Sequence, residues 1–155
     1  MKEPRDYLAC CGLYCKMCSL VNGMPEAGRA LHTIMKDEGW ESFGSYVYPE
    51  FEAFWKVLTE ISVFDEISPL CQGGCGNPDC QIRICAKEKG IAACGLCADF
   101  PCSLFDDFTQ QYPFIIENGY RIREIGIEAW LTEQEELVTK GITNRELRKQ
   151  HQNGN

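Results

Sequence analysis

Apolar residues return at three- and four-residue steps in three stretches of the chain, the rhythm of helices with one buried stripe. After Pro25, the set Ala27, Ala30, Leu31, Ile34 and Met35 predicts an amphipathic helix that ends at Gly39. After Pro49, Phe51, Phe54, Trp55, Leu58 and Ile61 share one face while Glu52, Lys56 and Glu60 lie elsewhere, which predicts a second. An aromatic stripe of this kind could line a ligand pocket, but core packing is the commoner use of that spacing. Farther on, Ile127, Trp130, Leu131, Gln134, Leu137 and Val138 trace a long helix that stops at Gly141. The run Thr143-Asn-Arg-Glu146 is a capping-box pattern for a last short helix, and the tail from His151 to Asn155 should fray.

The stretch from Leu70 to Cys102 breaks the rhythm. Its apolar content is thin, with Ile82, Ile84, Ile91, Leu96 and Phe100, and Gly73, Gly74, Gly76, Asn77 and Pro78 favour turns. One short helix is predicted from Gln81 to Lys89, stopped by Gly90. Pro101 marks a further helix start, with Leu104, Phe105 and Phe108 as its apolar face before Pro113. The expected fold class is mainly α: a helical body carrying an irregular, metal-stapled cysteine-rich lobe. With no internal repeat and no low-complexity linker, a single cysteine-rich domain is expected over residues 1–145, with 146–155 the end of a short helix and a frayed tail.

Cysteine content explains why such a lobe would fold. The 155 residues include 11 cysteines. One cluster reads Cys11-Gly-Leu-Tyr-Cys15-Lys-Met-Cys18, and a second comprises Cys71, Cys75, Cys80, Cys85, Cys94, Cys97 and Cys102. Thiols two to four residues apart in tight turns converge on one cation, and metal would supply folding free energy that a thin core lacks. Gly12, Gly74, Gly76 and Gly95 beside the cysteines ease those turns. Cys80 and Cys102 are expected at helix starts, where free N–H groups favour an anionic sulfur. Cys10, next to Cys11, is read as a small buried hydrophobe. Ten candidate ligands exceed two four-sulfur sites. The partition suggested by spacing puts Cys71, Cys75, Cys94 and Cys97 on one ion and draws the other set from Cys11, Cys15, Cys18, Cys80, Cys85 and Cys102. Zinc is the expected metal, with an iron–sulfur cluster as the alternative.

Charge and motifs narrow the function classes. A formal net charge of −8 disfavours general nucleic-acid binding, and thiolate–metal sites deepen it. Arg121/Arg123 and Arg145/Arg148/Lys149 are read as solvated helix faces. No apolar run is long enough for a membrane span, and the polar opening Met1-Lys-Glu-Pro-Arg-Asp is unlike a secretory signal, so a cytoplasmic protein is expected. That reducing compartment favours metal ligands over disulfides. The two histidines, His32 and His151, belong to no catalytic motif, and neither a phosphate-cradling loop nor a nucleophile arrangement is present. Cys11-x3-Cys15-x2-Cys18 has the spacing of the cluster motif in radical S-adenosylmethionine enzymes, but their strand-and-helix barrel does not fit a short helical chain.

The cysteine pattern resembles the bacterial and archaeal family called domain of unknown function 3795. The resemblance rests on Cys11-Gly-Leu-Tyr-Cys15-Lys-Met-Cys18, Cys80-Gln-Ile-Arg-Ile-Cys85-Ala-Lys-Glu-Lys-Gly90, and Cys94-Gly-Leu-Cys97-Ala-Asp-Phe-Pro-Cys102. Ile125-Gly-Ile-Glu-Ala-Trp130-Leu looks like its C-terminal helix, so the likeness is expected to run from about residue 10 to 145. It implies metal binding by Cys11, Cys15, Cys18, Cys75, Cys80, Cys85, Cys94, Cys97 and Cys102, without an assigned activity. Cys71 departs from the family's spacing, and Cys10 is an addition of this chain. The expectation is structural zinc in an interaction module with a protein partner, and the alternative is an iron–sulfur redox protein.

Overall fold

The computed structural model describes residues 2–154. They divide into two compact units: one contains the residues through Cys18 and those from Pro69 onward, the other is Ser19–Ser68. The span expected as one domain over 1–145 thus contains a unit whose helices pack among themselves. Among the described residues the regular structure is helical, and the one bridge between extended residues joins Leu8 to Tyr14.

In the Ser19–Ser68 unit, α1 (Met24–Asp37), α2 (Trp40–Val47), α3 (Phe51–Ser62) and the single turn α4 (Phe64–Ile67) follow one another. The first and third match the predicted helices, but α1 turns a different face inward. Its buried positions are Pro25 and Gly28, with His32 and Met35 half-buried, while Leu31 and Ile34 stay exposed. The reason is a close helix crossing: a Cβ on Gly28 would lie 2.9 Å from Ile61 Cγ2 and 3.3 Å from the Ser62 nitrogen. Shape at the crossing sets the contact face, and the more apolar stripe loses. His32 stacks on Trp55 at 4.4 Å and 16°. Arg29 Nη1 ties α1 to the end of α3, donating to the Ser62 carbonyl at 2.8 Å and to Asp65 at 2.9 Å. The eight-residue α2 is too short to show a periodic signal.

The other unit starts with a 3₁₀ turn, Pro4–Tyr7, and a second at Cys15–Met17. After the 3₁₀ turn Cys71–Gly73 come α5 (Gln81–Glu88), 3₁₀ turns Cys94–Leu96 and Ser103–Phe105, α6 (Phe108–Gln111), α7 (Ile115–Ile125), α8 (Ile127–Thr139) and α9 (Asn144–Asn153). A core of Leu8, Tyr14, Met17, Ala93, Ile122, Trp130 and Leu131 joins the N-terminal loop to α7 and α8. Helix α8 is as predicted, with Gln134 buried on the same face. Sequence periodicity gave no warning of α7, because Gly119 and four isoleucines lower its intrinsic helix propensity. Packing of Ile115, Gly119 and Ile122 stabilises it instead.

Two local expectations differ. The helix expected after Pro101 is a 3₁₀ turn followed by the short α6. The tail expected to fray is helical through Asn153, and the His151 ring lies 6.0 Å from that of Phe114; Asn155 lies outside the described residues. The capping pair at α9 also differs from its usual form. The Thr143 hydroxyl donates to the Glu146 carboxylate and makes no bond to the helix N–H groups. Among the described residues no helix is long and apolar enough to cross a membrane.

Candidate metal centre

All eleven cysteines are free thiols. In the turn Cys94-Gly-Leu-Cys97 the Leu96 N–H donates to the Ala93 carbonyl at 3.0 Å and the Cys97 N–H to the Cys94 carbonyl at 2.9 Å. This curls the backbone so that both cysteines border the same cavity. Cys85 joins them from the second turn of α5, and Cys102 from its place just before the Ser103–Phe105 turn. Those four cysteines, with Ile82, Ala86 and the Phe100 and Phe105 rings, line a cavity of about 20 Å³. Such a space holds one water-sized occupant. The Cys94 thiol is pushed up to about 12, first by burial and then by the charges of Cys10, Cys102, Cys85 and Cys97. Lys89 brings a positive charge to the rim, its Nζ 3.4 Å from Cys97 Sγ and 2.8 Å from Asp99.

The N-terminal knuckle meets a different cysteine turn. Cys71 lies beside Cys15: their interaction lowers Cys15, whereas the same interaction and then burial raise Cys71. Burial drives Cys11 far above the thiol range, with Cys71, Cys94 and Cys80 adding to it, and Cys18 acts on Cys15. Buried Arg83 fixes the loop that presents Cys71, Cys75 and Cys80. Its guanidinium donates to the carbonyls of Cys71 at 3.1 Å, Asn77 at 2.7 Å and Pro78 at 2.7 Å. Gln72 anchors the same loop to the Leu8 carbonyl at 2.8 Å, and the Cys75 N–H closes the turn onto the Leu70 carbonyl at 2.9 Å.

Helix α7 serves both loops. Asn118 Nδ2 donates to the Gly12 carbonyl at 3.0 Å in the N-terminal knuckle. Arg123 reaches the other, with Nε 2.8 Å from the Gly95 carbonyl and Nη2 2.8 Å from that of Cys97. Its guanidinium carbon also lies 5.8 Å from the Phe100 ring centre and 5.7 Å from that of Tyr120. Arg123 is therefore a clamp on the Cys94–Cys97 turn and not simply a solvated helix face; Arg121 pairs with Glu124 and Glu133. Backbone meets backbone beside it. A Cβ on Gly95 would fall 2.2 Å from the Gly119 carbonyl oxygen, and one on Gly119 would fall 2.2 Å from Phe100 Cζ. The Cys94 N–H donates to the Cys10 carbonyl at 2.7 Å, so the two cysteine loops are also joined directly.

The cavity groups the cysteines differently from the partition suggested by spacing. Cys94 and Cys97 share a cavity with Cys85 and Cys102, because α5 packs on the Ser103–Phe105 turn. Cys71 goes with Cys15, because its turn packs on the Pro4–Tyr7 turn and on Leu8. Cys80 and Cys102 do stand at helix starts, as expected, and Cys10 is buried, with its thiol raised by that burial. Among the described residues no three Cys, His, Asp or Glu side chains stand close enough together to hold a metal as placed. The donors fit a soft cation in kind and number.

Fold and site together describe a helical protein built around paired cysteine knuckles. The chain belongs to the family of proteins of unknown function DUF3795, whose profile matches residues 7–107. The match covers every cysteine and ends before α7, short of the C-terminal limit that the resemblance suggested. No curated protein and no solved structure matches the chain.

Proposed function

We propose that the chain is a thiolate–zinc protein in which metal staples the cysteine loops to α7, making a rigid module for contact with a protein partner. The observation that carries this reading is the convergence of Cys85, Cys94, Cys97 and Cys102 on one small cavity. Four cysteines around one water-sized space suit a single tetrahedral ion. A second ion would draw on Cys11, Cys15, Cys18, Cys71, Cys75 and Cys80, where the adjoining Cys15 and Cys71 support convergence. Binding requires the sulfurs to draw inward and Cys94 to lose its proton, so affinity should rise with pH.

Anaerobic purification with elemental analysis and an absorption spectrum tests the metal. Zinc at one or two equivalents in a colourless protein is expected, and a brown protein that bleaches on reduction would replace this reading with an iron–sulfur one. Chelation, or Cys94→Ser with Cys97→Ser, should abolish protease resistance in the lobe. Retained circular dichroism and protease resistance after complete demetallation would overturn the structural role.

A further inference from the structure

Within the Ser19–Ser68 unit lies a cavity of about 400 Å³ that no part of the cysteine chemistry uses. Leu31, Met35, Trp40, Tyr48, Phe51 and Phe54 line it, and Glu50 is the single charged member. That volume is in the range of small-molecule sites, with an apolar wall and few polar groups to orient the ligand. The rings are grouped around Trp40: Tyr48 lies parallel to it at 6.3 Å and 13°, and Phe51 sits at 6.0 Å. The neighbouring indole N–H groups already have carboxylate acceptors, Trp40 on Glu38 and Trp55 on Glu41, both at 3.3 Å. What Trp40 offers a ligand is therefore a ring face. Tyr48 and Phe54 remain 60% and 43% exposed, so the cavity has an open mouth lined by aromatic carbon.

Charge chooses among apolar ligands. This segment of 50 residues holds nine acidic side chains against three basic ones, a net of −6 out of −8 for the chain. Aromatic faces attract cations through their quadrupole, and a carboxylate at the same wall adds a full opposite charge. An anion would meet both as repulsion, and a neutral apolar molecule would use neither.

We infer that the aromatic cavity between α1, α2 and the start of α3 is a binding site for a small organic cation, an alkyl- or arylammonium with its charged head at Glu50 and its apolar body against Trp40, Tyr48 and Phe51. The ligand is a free small molecule. The site is independent of the cysteine loops.

The test uses the full chain, with hexyltrimethylammonium as probe and hexyl sulfate as its anionic counterpart, followed by calorimetry and tryptophan fluorescence. Saturable binding of the cation with a fluorescence change is expected, together with at least tenfold weaker binding of the sulfate. Glu50→Gln, a change at an exposed residue, should weaken the cation about tenfold, the scale of one well-placed charge or cation–π contact. Tyr48→Ala, at another exposed position, should weaken it several-fold while far-UV circular dichroism stays unchanged. Equal binding of both probes would overturn the inference in favour of a plain apolar groove. Cation binding unmoved by Glu50→Gln would overturn it as well. Binding seen only as dissociation of a dimer would assign the cavity to a second copy of the chain. Chelator treatment should leave cation affinity within twofold, and loss of binding on demetallation would refute the independence of the site.

Discussion

Substituting alanine for Gly95 places one methyl group where the Cys94–Cys97 turn meets α7. The new Cβ would stand 2.2 Å from the Gly119 carbonyl oxygen and 2.8 Å from the Gly119 Cα, against a practical floor of 3.0 Å. Both sides of that contact are backbone, so no rotamer change relieves it and the turn must retreat by about 1 Å. Overpacking of this kind costs about 1–3 kcal/mol. The retreat also stretches the two Arg123 bonds, now 2.8 Å each, past useful length. Those bonds end on a partly solvated guanidinium, so their loss adds only about 1 kcal/mol. The expected destabilisation is about 3 kcal/mol, or a fall of roughly 6–12 °C in Tm for a chain of this size. Gly119→Ala is the control. Its Cβ meets a side chain, Phe100, that can tilt, and alanine returns about 1 kcal/mol of helix propensity, leaving a net loss near 1 kcal/mol. Urea unfolding in reducing buffer, followed by far-UV circular dichroism, compares the two. A Gly95→Ala midpoint within about 0.5 kcal/mol of the parent, or a Gly119→Ala loss larger than that of Gly95→Ala, would refute the close approach.

Arg123→Ala should cost about 1–2 kcal/mol through its lost carbonyl contacts, and Arg123→Lys should recover less than half, since an ammonium cannot fork across the Gly95 and Cys97 carbonyls; thermal unfolding measures both. The Arg29 hydrogen bond holds the Asp65 carboxyl below its usual range, so the pair stabilises above the unfolded carboxylate value of about 4 and loses that contribution as pH falls through the folded one. Asp65→Asn should therefore be less stable than the parent at about pH 7, with the deficit shrinking as pH falls below about 4 and closing only below the folded carboxyl's own value, and a pH-independent deficit in urea titrations would contradict the ion pair.

How much of this was legible in the residues depends on where the physics acts. Helices α3 and α8 show in the sequence because their own apolar stripes are the ones they bury, Phe51 and Leu58 in one and Trp130 and Leu131 in the other. For α1 the helix was visible and its inward face was not, because a glycine crossing at Gly28 is a matter of close fit that hydropathy does not encode. Helix α7 was invisible for a related reason: Gly119 counts against it locally, yet the absence of a side chain there is what lets the helix touch Phe100 and Gly95. The cysteines were legible as knuckles because Cys94-x2-Cys97 and Cys15-x2-Cys18 are local turns. Their sorting was not, since it depends on α5 lying against Ser103–Phe105 and on Gln72 reaching Leu8, contacts between distant parts of the chain. Arg83 and Arg123 were missed as loop clamps, because a single arginine looks the same in sequence whether it faces water or a fan of carbonyls.

The position of α7 has a practical consequence for dissecting the protein. A fragment cut to residues 7–107 keeps all eleven thiols and discards Asn118, Gly119 and Arg123, the residues against which both cysteine turns are braced. It would present the reactive part of the molecule with its splint removed, prone to mispaired sulfurs and to scavenging whatever ion it meets first. The smallest unit worth expressing for the cysteine chemistry therefore extends through α8, whose Trp130 and Leu131 seat α7 on the core.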